Sequence, residues 1–95
     1  MIRSFADSET ERVWNGLRSR ELPSDIQNVA RRKLRQINRT AKLHDLRVPG
    51  GNRFEQLKSF TPLRYSIRIN EQWRVTFHWS DGDAHDVRIE DYHKG

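Results

Sequence analysis

The chain has 95 residues, of which 34% are hydrophobic and 33% are charged, and its formal net charge is +5 at pH 7. A chain of this length predicts a single domain over residues 1–95 with a thin core. It contains no cysteine, which excludes disulfides and thiolate metal sites, and no apolar run of signal-peptide or membrane-span length, so we expect a cytoplasmic protein without membrane contact.

The cations consist of 14 arginines and only 4 lysines. Arginine presents a planar fork of donors that binds phosphate or carboxylate through two hydrogen bonds and stacks on nucleobases. A basic, arginine-rich chain therefore favours a polyanionic partner. The same composition also fits an ordinary soluble domain.

The first residues predict a strand and then a helix. Residues 1–5 alternate in hydrophobicity and can form a short opening strand. Ser8 and Glu11 form a capping-box pattern at the start of a helix, and Gly16 favours an early end to it. The apolar side of this helix carries Val13, Trp14 and Leu17.

A second helix follows Pro23, and either Ser24 or Asp25 can cap it. Its apolar residues form one helical stripe, namely Ile26, Val29, Ala30, Leu34 and Ile37. Its opposite side is basic and consists of Arg31, Arg32, Arg35 and Arg39. This basic side is either a solvated helix face or a surface that meets RNA or an acidic partner.

Residues 40–46 can add one more helical turn, and residues 48–52 form a break that is rich in glycine. Residues 53–58 predict a strand that borders the next one, and residues 59–63 form the loop between them. Helices that precede a run of strands predict an α+β fold. We expect a short N-terminal strand and two to three helices on one face of an antiparallel sheet of four to five strands.

The clearest pattern lies in residues 64–79, where apolar and polar residues alternate with a period of two on both sides of the polar break at residues 70–72. This pattern predicts an antiparallel hairpin with one buried face. Pairing Ile69 with Trp73 keeps that face apolar and sets Arg68 opposite Arg74. Because like charges that face each other across strands are destabilising, this pair indicates a surface that binds an anion.

Residues 84–93 predict the last strand. A three-residue loop at residues 81–83 pairs Val75 with Ile89, Phe77 with Val87 and Arg74 with Glu90. A two-residue loop would instead pair Val75 with Arg88 and expose the apolar face, so we favour the longer loop. In this register Arg68, Arg74, Glu90 and Tyr92 lie together on the exposed face of the sheet, and His85 lies opposite Trp79.

The four histidines have no metal-motif spacing, so we expect no metal and no other cofactor. What remains is a cluster of cations beside Tyr92 and His93. Such a cluster can cleave RNA without a metal, because arginines stabilise the pentacoordinate phosphorane while tyrosine, lysine or histidine transfers protons. The same residues explain RNA binding without cleavage equally well.

Three segments together resemble the HigB/GraT-like toxins of the RelE superfamily: residues 52–58 (NRFEQLK), residues 65–79 (YSIRINEQWRVTFHW) and residues 90–93 (EDYH). The turn at residues 81–84 (DGDA) and the opening residues 1–5 (MIRSF) are also typical of this group. The resemblance extends over the whole chain and is densest between residues 52 and 93.

The resemblance implies the toxin of a type II toxin–antitoxin system, a ribosome-dependent mRNA endonuclease that acts by metal-independent attack of the 2′-hydroxyl. The implied partners are a HigA-like helix-turn-helix antitoxin, mRNA and the A site of the 70S ribosome. Operator DNA is reached only through the complex with the antitoxin. By position, the residues that match RelE-type active sites are Lys58, Arg74, Tyr92 and His93, with Asp91 beside them.

The sequence departs from this family at two places. The loop after Lys58 reads Ser59-Phe-Thr-Pro-Leu-Arg64 where relatives commonly have Gly, an acidic residue and Arg, so Arg64 can supply the phosphate contact. Glu55 stands where some relatives have histidine. We expect Arg64, Arg68 and Asp91 to bind substrate. Two alternatives remain open, a non-catalytic RNA-binding module and an interaction protein of the same fold.

Overall fold

A computed structural model describes residues 1–92, in which two α-helices precede four β-strands. The helices are α1 (Ser8–Trp14) and α2 (Gln27–Arg39), and the strands are β1 (Glu55–Leu57), β2 (Arg64–Arg68), β3 (Trp73–Ser80) and β4 (Asp83–Asp91). Short 3₁₀ helices lie between these elements at Ser24–Ile26, Leu43–Arg47 and Gly50–Asn52.

The strands form one antiparallel sheet in the order β1-β2-β3-β4, so each strand pairs with its neighbours in sequence. The α-helices pack on one face of this sheet, where Val13 and Leu34 share a core with Val75 and Phe77. All four side chains are fully buried. The predicted α+β fold with helices on one face of an antiparallel sheet is confirmed.

The N-terminal residues lie along the free edge of β4. Ile2 and Phe5 form parallel bridges with Ala84 and Val87. Between these bridges, Asp86 has a positive φ of 50° and its amide donates to the hydroxyl of Ser4 at 2.9 Å. The predicted opening strand is therefore a pair of isolated bridges rather than a continuous ladder.

Both helices begin differently from the prediction. Asp7 caps α1, because its backbone is extended and its Oδ1 accepts from the amide of Thr10 at 2.7 Å; Ser8, the predicted cap, is the first helical residue. Neither Ser24 nor Asp25 caps α2, since both belong to a 3₁₀ turn that leads directly into it. Gly16, at φ +80°, follows the end of α1 as expected and leaves Leu17 exposed.

The β2–β3 hairpin has the predicted register. Ile67 pairs with Val75 and Arg68 pairs with Arg74, while the amide of Ile69 donates to the carbonyl of Trp73 at 2.9 Å. The period-two pattern of hydrophobicity therefore located both faces of this hairpin correctly.

The β3–β4 turn is shorter than the predicted three-residue loop. Ser80 pairs with Asp83, which leaves only Asp81 and Gly82 in the turn, at φ values of +54° and +79°. Two positive φ values give a turn whose twist matches that of the flanking strands, which is why two-residue hairpin turns favour this geometry. The prediction of a three-residue loop was wrong.

A β-bulge in β4 restores the register that the two-residue turn would otherwise lose. His78 pairs with His85 and Thr76 pairs with Arg88, so β4 has one residue more than β3 between these pairs. The predicted pairing of Arg74 with Glu90 consequently holds. The bulge replaces the predicted pairing of Phe77 with Val87, and Trp79 lies opposite Ala84 rather than His85.

Candidate active site

Arg74 is the centre of a cluster on the sheet face opposite the helices, and its residue is only 6% exposed. Its Nη1 donates to the hydroxyl of Ser66 at 2.8 Å and to the carbonyl of Arg53 at 3.0 Å. Its Nη2 lies 3.4 Å from Oε1 of Glu55. We call Glu55, Ser66, Arg74 and Tyr92 the Arg74 cluster.

Tyr92 covers the guanidinium of Arg74. The Cζ atom of Arg74 lies 4.6 Å from the centroid of the tyrosine ring, a cation–π contact. The hydroxyl of Tyr92 donates to Oε2 of Glu55 at 2.8 Å, and its amide donates to the carbonyl of Gln72 at 2.6 Å. Glu55 therefore accepts from the tyrosine with one carboxylate oxygen and from the arginine with the other.

The hydrogen bond to Glu55 raises the pKa of the Tyr92 hydroxyl, and partial burial and the negative charge of Glu55 add to this effect. The positive charge of Arg74 opposes it. Tyr92 is therefore protonated at neutral pH, as an ordinary tyrosine is, and the shift makes its hydroxyl a weaker acid.

The sequence predicted that Arg74 would lie opposite Glu90, which the register confirms, and that it would be exposed, which is wrong. The side chains do lie opposite each other on β3 and β4, but Glu90 accepts from the hydroxyl of Thr76 and lies 3.7 Å from Arg88. Arg74 is buried because β1 and Tyr92 enclose its guanidinium, and the charge is balanced by Glu55 from β1.

Arg68 is the more accessible arginine of the facing pair. Its side chain is 27% exposed and lies 4.0 Å from Glu71. Together with Arg53, Arg74 and Tyr92 it borders a shallow cavity of about 370 Å³ beside the Arg74 cluster. Glu55 and Glu71 also line this cavity, and its three guanidinium groups are donors of the kind that bind phosphate.

Arg64 lies on the same face but away from that cavity. Its Nη2 donates to the carbonyl of Asp86 at 2.7 Å and to the hydroxyl of Thr76 at 3.1 Å. Burial lowers the pKa of Arg64, and Glu90 and Asp86 partly counter this effect. Among residues 1–92, Arg64 makes no hydrogen bond or ion pair to a member of the Arg74 cluster, and it shares Thr76 with Glu90 instead.

The remaining predicted site residues have different positions. Lys58 is exposed in the turn after β1, and no hydrogen bond or ion pair joins it to another residue between 1 and 92. Asp91 ends β4, where its Oδ2 accepts from Nε2 of Gln72 at 2.9 Å. His93 lies outside the described residues. The structure thus brings Arg74 and Tyr92 together and leaves Lys58 without a bond to the Arg74 cluster.

Sequence reasoning missed the two side-chain partners of Arg74, Glu55 and Ser66. Glu55 pairs with Ser66 across β1 and β2, and both lie on the face of Arg74. The available signal was the departure from the family at Glu55, because a carboxylate that replaces histidine at an active site still offers a proton acceptor.

The structure also bears on metals and membranes. Among residues 1–92, no group of three or more histidine, aspartate or glutamate side chains is arranged to hold a metal ion. Within the same range, no helix is long and apolar enough to span a membrane.

The exposed arginines of α2 lie in the helical layer, on the other side of the sheet from the Arg74 cluster.

Comparisons with known proteins identify a family and two similar chains. Residues 3–93 match the family described as the RelE-like toxin of the type II toxin–antitoxin system HigB. The chain is 40% identical over 85 residues to Toxin HigB-1 from Vibrio cholerae serotype O1, covering 88% of this chain and 90% of that protein. It is 30% identical over 70 residues to an uncharacterized protein from Haemophilus influenzae, covering 74% of this chain and 69% of that protein.

Proposed function

This chain belongs to the HigB-like toxins of type II toxin–antitoxin systems, and from that premise we propose that it is a ribosome-dependent mRNA endonuclease. The observation that carries the proposal is the Arg74 cluster. It joins a carboxylate, a protonated phenol and a buried guanidinium within hydrogen-bond or ring contact of one another. Cleavage of RNA by its own 2′-hydroxyl requires a base, an acid and a fixed positive charge.

In the proposed reaction, Glu55 accepts the proton of the 2′-hydroxyl as that oxygen attacks the adjacent phosphorus. The bond from phosphorus to the 5′-oxygen then breaks, and Tyr92 supplies the proton that the leaving oxygen needs. The products are a 2′,3′-cyclic phosphate and a 5′-hydroxyl. Tyr92 is assigned as the acid because its hydroxyl carries a proton at neutral pH, and the carboxylate of Glu55 beside it is assigned as the base.

The cations have separate tasks in this mechanism. Arg74 holds Glu55 and Tyr92 in place and adds positive potential beneath the phosphorane, because two of its hydrogen bonds fix its guanidinium to the sheet. Arg68, which is more exposed, contacts the phosphate directly. We assign Lys58, which is exposed in the turn after β1, to share proton transfer with Tyr92, and His93 follows Tyr92 directly in sequence.

The shape of the site supports the requirement for a ribosome. The cavity beside the Arg74 cluster is shallow, and its open side does not fix the sugar and phosphate in line for attack. A ribosome that holds the message in its A site supplies this orientation, and orientation by itself can account for large rate factors. The chemistry then needs only the charges and proton carriers that the toxin contributes.

Membership of the family implies an antitoxin partner. We propose that this partner is a HigA-like helix-turn-helix protein and that operator DNA is bound only through the complex. The basic surface supports an acidic or polar partner segment, since the net charge is +5. The antitoxin can neutralise the toxin either by covering the Arg74 cluster or by keeping the toxin off the ribosome.

The test is a translating extract with a defined reporter message. The toxin is first treated with a chelator and dialysed, so that the magnesium of the extract is undisturbed. We expect cleavage of the message with 5′-hydroxyl and 2′,3′-cyclic or 3′-phosphate ends. Products with 5′-phosphates, or activity that returns only after a transition metal is added back to the toxin, would refute the mechanism.

One observation favours a non-catalytic RNA-binding module as the second candidate. Glu55 already accepts from both Arg74 and Tyr92, so the cluster is internally satisfied without substrate. RNA binding that weakens with salt, together with no cleavage on ribosomes, would move the conclusion to this alternative.

A further inference from the structure

A second cavity, of about 370 Å³, shares Tyr92 as a lining residue with the cavity that Arg68 borders. Its volume is at the small end of the range for ligand pockets, which is suited to a flat group such as a single nucleobase. The residues that surround it are Leu57, Ser59, Phe60, Thr76, Glu90, Asp91 and Tyr92.

Two aromatic side chains at this cavity are open to solvent. Phe60 is 48% exposed and Tyr92 is 41% exposed. Most of the aromatic side chains in the described chain are at least partly buried against the core instead. Phe60 belongs to the loop in which the sequence departs from the family, so this chain has its own apolar surface at the edge of the candidate active site.

The position of the cavity connects it to the proposed reaction. Tyr92 borders both cavities and also bonds Glu55 and covers Arg74. A nucleotide whose phosphate lies in the cavity that Arg68 borders can therefore place its base in the second cavity, beside Phe60. Stacking on an aromatic face is the usual way in which proteins hold an unstacked base of single-stranded RNA.

The rim of the cavity carries hydrogen-bond acceptors. Carboxylates of Glu90 and Asp91 and the hydroxyl of Ser59 all border it. Carboxylates accept hydrogen bonds from exocyclic amino groups, which adenine, cytosine and guanine have and uracil lacks. The rim thus suits bases that carry an amino group.

We propose that this cavity is a nucleobase subsite in which Phe60 stacks on a base adjacent to the cleaved bond and the acidic rim selects bases with an amino group. The proposal rests on the proposed function, because it assigns the substrate contact of that same site. Phe60 is in this view a specificity-determining residue and takes no part in proton transfer.

The test compares the cleavage positions of the wild-type toxin and variants on translating ribosomes. Reporter messages carry each of the four bases on either side of a strongly cleaved site. We expect the wild type to disfavour uracil at one of these positions. Phe60→Ala should lower the cleavage rate about tenfold, as expected for loss of one stacked base, and weaken the base preference. Phe60→Tyr should retain both.

Val48→Ala is the matched control, since Val48 is also exposed and apolar but is not a lining residue of this cavity. It should leave the rate and the base preference unchanged. Circular dichroism and a melting curve check that every variant is folded. If Phe60→Ala fails to fold, Phe60→Leu, which keeps the apolar volume but removes the aromatic face, replaces it in the same comparison.

The outcomes separate the two proposals. A wild type that cleaves messages, with a Phe60→Ala variant that cleaves the same positions at the same rate, overturns the subsite and leaves the endonuclease intact. A wild type that cleaves no message overturns the endonuclease and the subsite with it. If Phe60→Ala alters only neutralisation by the antitoxin, the cavity is a protein-binding surface and the base subsite is wrong.

Discussion

The two faces of strand β3 are both buried, but by different means. On the helical face, Val75 and Phe77 are covered by apolar side chains of the core. On the other face, Arg74 and Thr76 are covered by polar neighbours that satisfy their hydrogen bonds. No buried side-chain nitrogen or oxygen among residues 1–92 lacks a hydrogen-bond partner.

This difference between the two faces of β3 indicates which face contributes most to stability and which to function. The helical face gains stability from apolar area removed from water, which is roughly additive and independent of direction. The polar face depends on complete pairing, because a buried polar group that loses its partner costs the full desolvation energy. Substitutions on the two faces should therefore differ in what they damage, and the following predictions test this.

The largest loss of stability is expected on the helical face. Phe77→Ala removes a fully buried ring and leaves a cavity, which should lower the free energy of unfolding by about 3–5 kcal/mol. Urea denaturation followed by tryptophan fluorescence measures the loss. A value below 1 kcal/mol would mean that this face is not the main source of stability.

Arg74→Ala should lower the free energy of unfolding by about 1–3 kcal/mol and the cleavage rate by about 10²–10³. From the sequence alone, relief of the repulsion with Arg68 predicts a nearly unchanged or raised melting temperature for this variant. The burial of Arg74 reverses that expectation, since the hydroxyl of Ser66 and the carbonyl of Arg53 each lose a donor.

Arg74→Lys is the control for charge, because it retains a cation but cannot make the same set of hydrogen bonds. We expect it to be less destabilised than Arg74→Ala but still impaired in cleavage. Full activity in Arg74→Lys would show that only the charge matters.

Glu55→Gln should have a smaller effect on stability, about 1 kcal/mol, because Glu55 is partly exposed. It should lower the cleavage rate by about 10²–10⁴ if Glu55 is the base. It should also lower the pKa of Tyr92 toward its ordinary value, since the hydrogen bond to the carboxylate is the main cause of the shift.

The pKa of Tyr92 is measured by tyrosinate absorbance in a Tyr65→Phe background, where Tyr92 is the only tyrosine. An unchanged pKa in Glu55→Gln would show that the contact between Glu55 and Tyr92 does not exist in solution. Glu55→Ala provides a second variant in which the hydrogen bond is absent altogether.

The raised pKa of Tyr92 also predicts how stability changes at alkaline pH. Its contribution is fully present below the ordinary tyrosine pKa of about 10 and is lost as pH rises through the higher pKa of the folded state. The free energy of unfolding should therefore fall less steeply above pH 10 in Tyr92→Phe than in the wild type. Identical slopes would contradict this linkage.

The smallest effect on stability is expected for Arg68→Ala, because Arg68 is partly exposed and its ion pair with Glu71 is weak. Its removal also relieves the repulsion with Arg74 on the neighbouring strand. We expect a change within about 0.5 kcal/mol but weaker, less salt-dependent binding to RNA. A large loss of stability would mean that both arginines of the pair are structural.

The sequence by itself predicted the elements that depend on local pattern. The period of two in residues 64–79 determined which side chains of β2 and β3 face the core, and it set Arg68 opposite Arg74. The requirement for an apolar face also determined the pairing of Arg74 with Glu90, although by way of the wrong loop. Proximity of Arg74 and Tyr92 followed from the same pairing.

Only the tertiary structure decided whether Arg74 is buried and which groups it contacts. A long side chain can turn to any partner within reach, and sequence alternation reports the face of a strand but not what covers that face. Arg74 is buried because β1, almost 20 residues earlier, brings Glu55 over it and because Tyr92 closes the other side. The sequence also could not reveal the bulge at Asp86. A three-residue loop without a bulge pairs Arg74 with Glu90, and a two-residue turn followed by a bulge gives the same pair, so the two arrangements cannot be distinguished from this pairing.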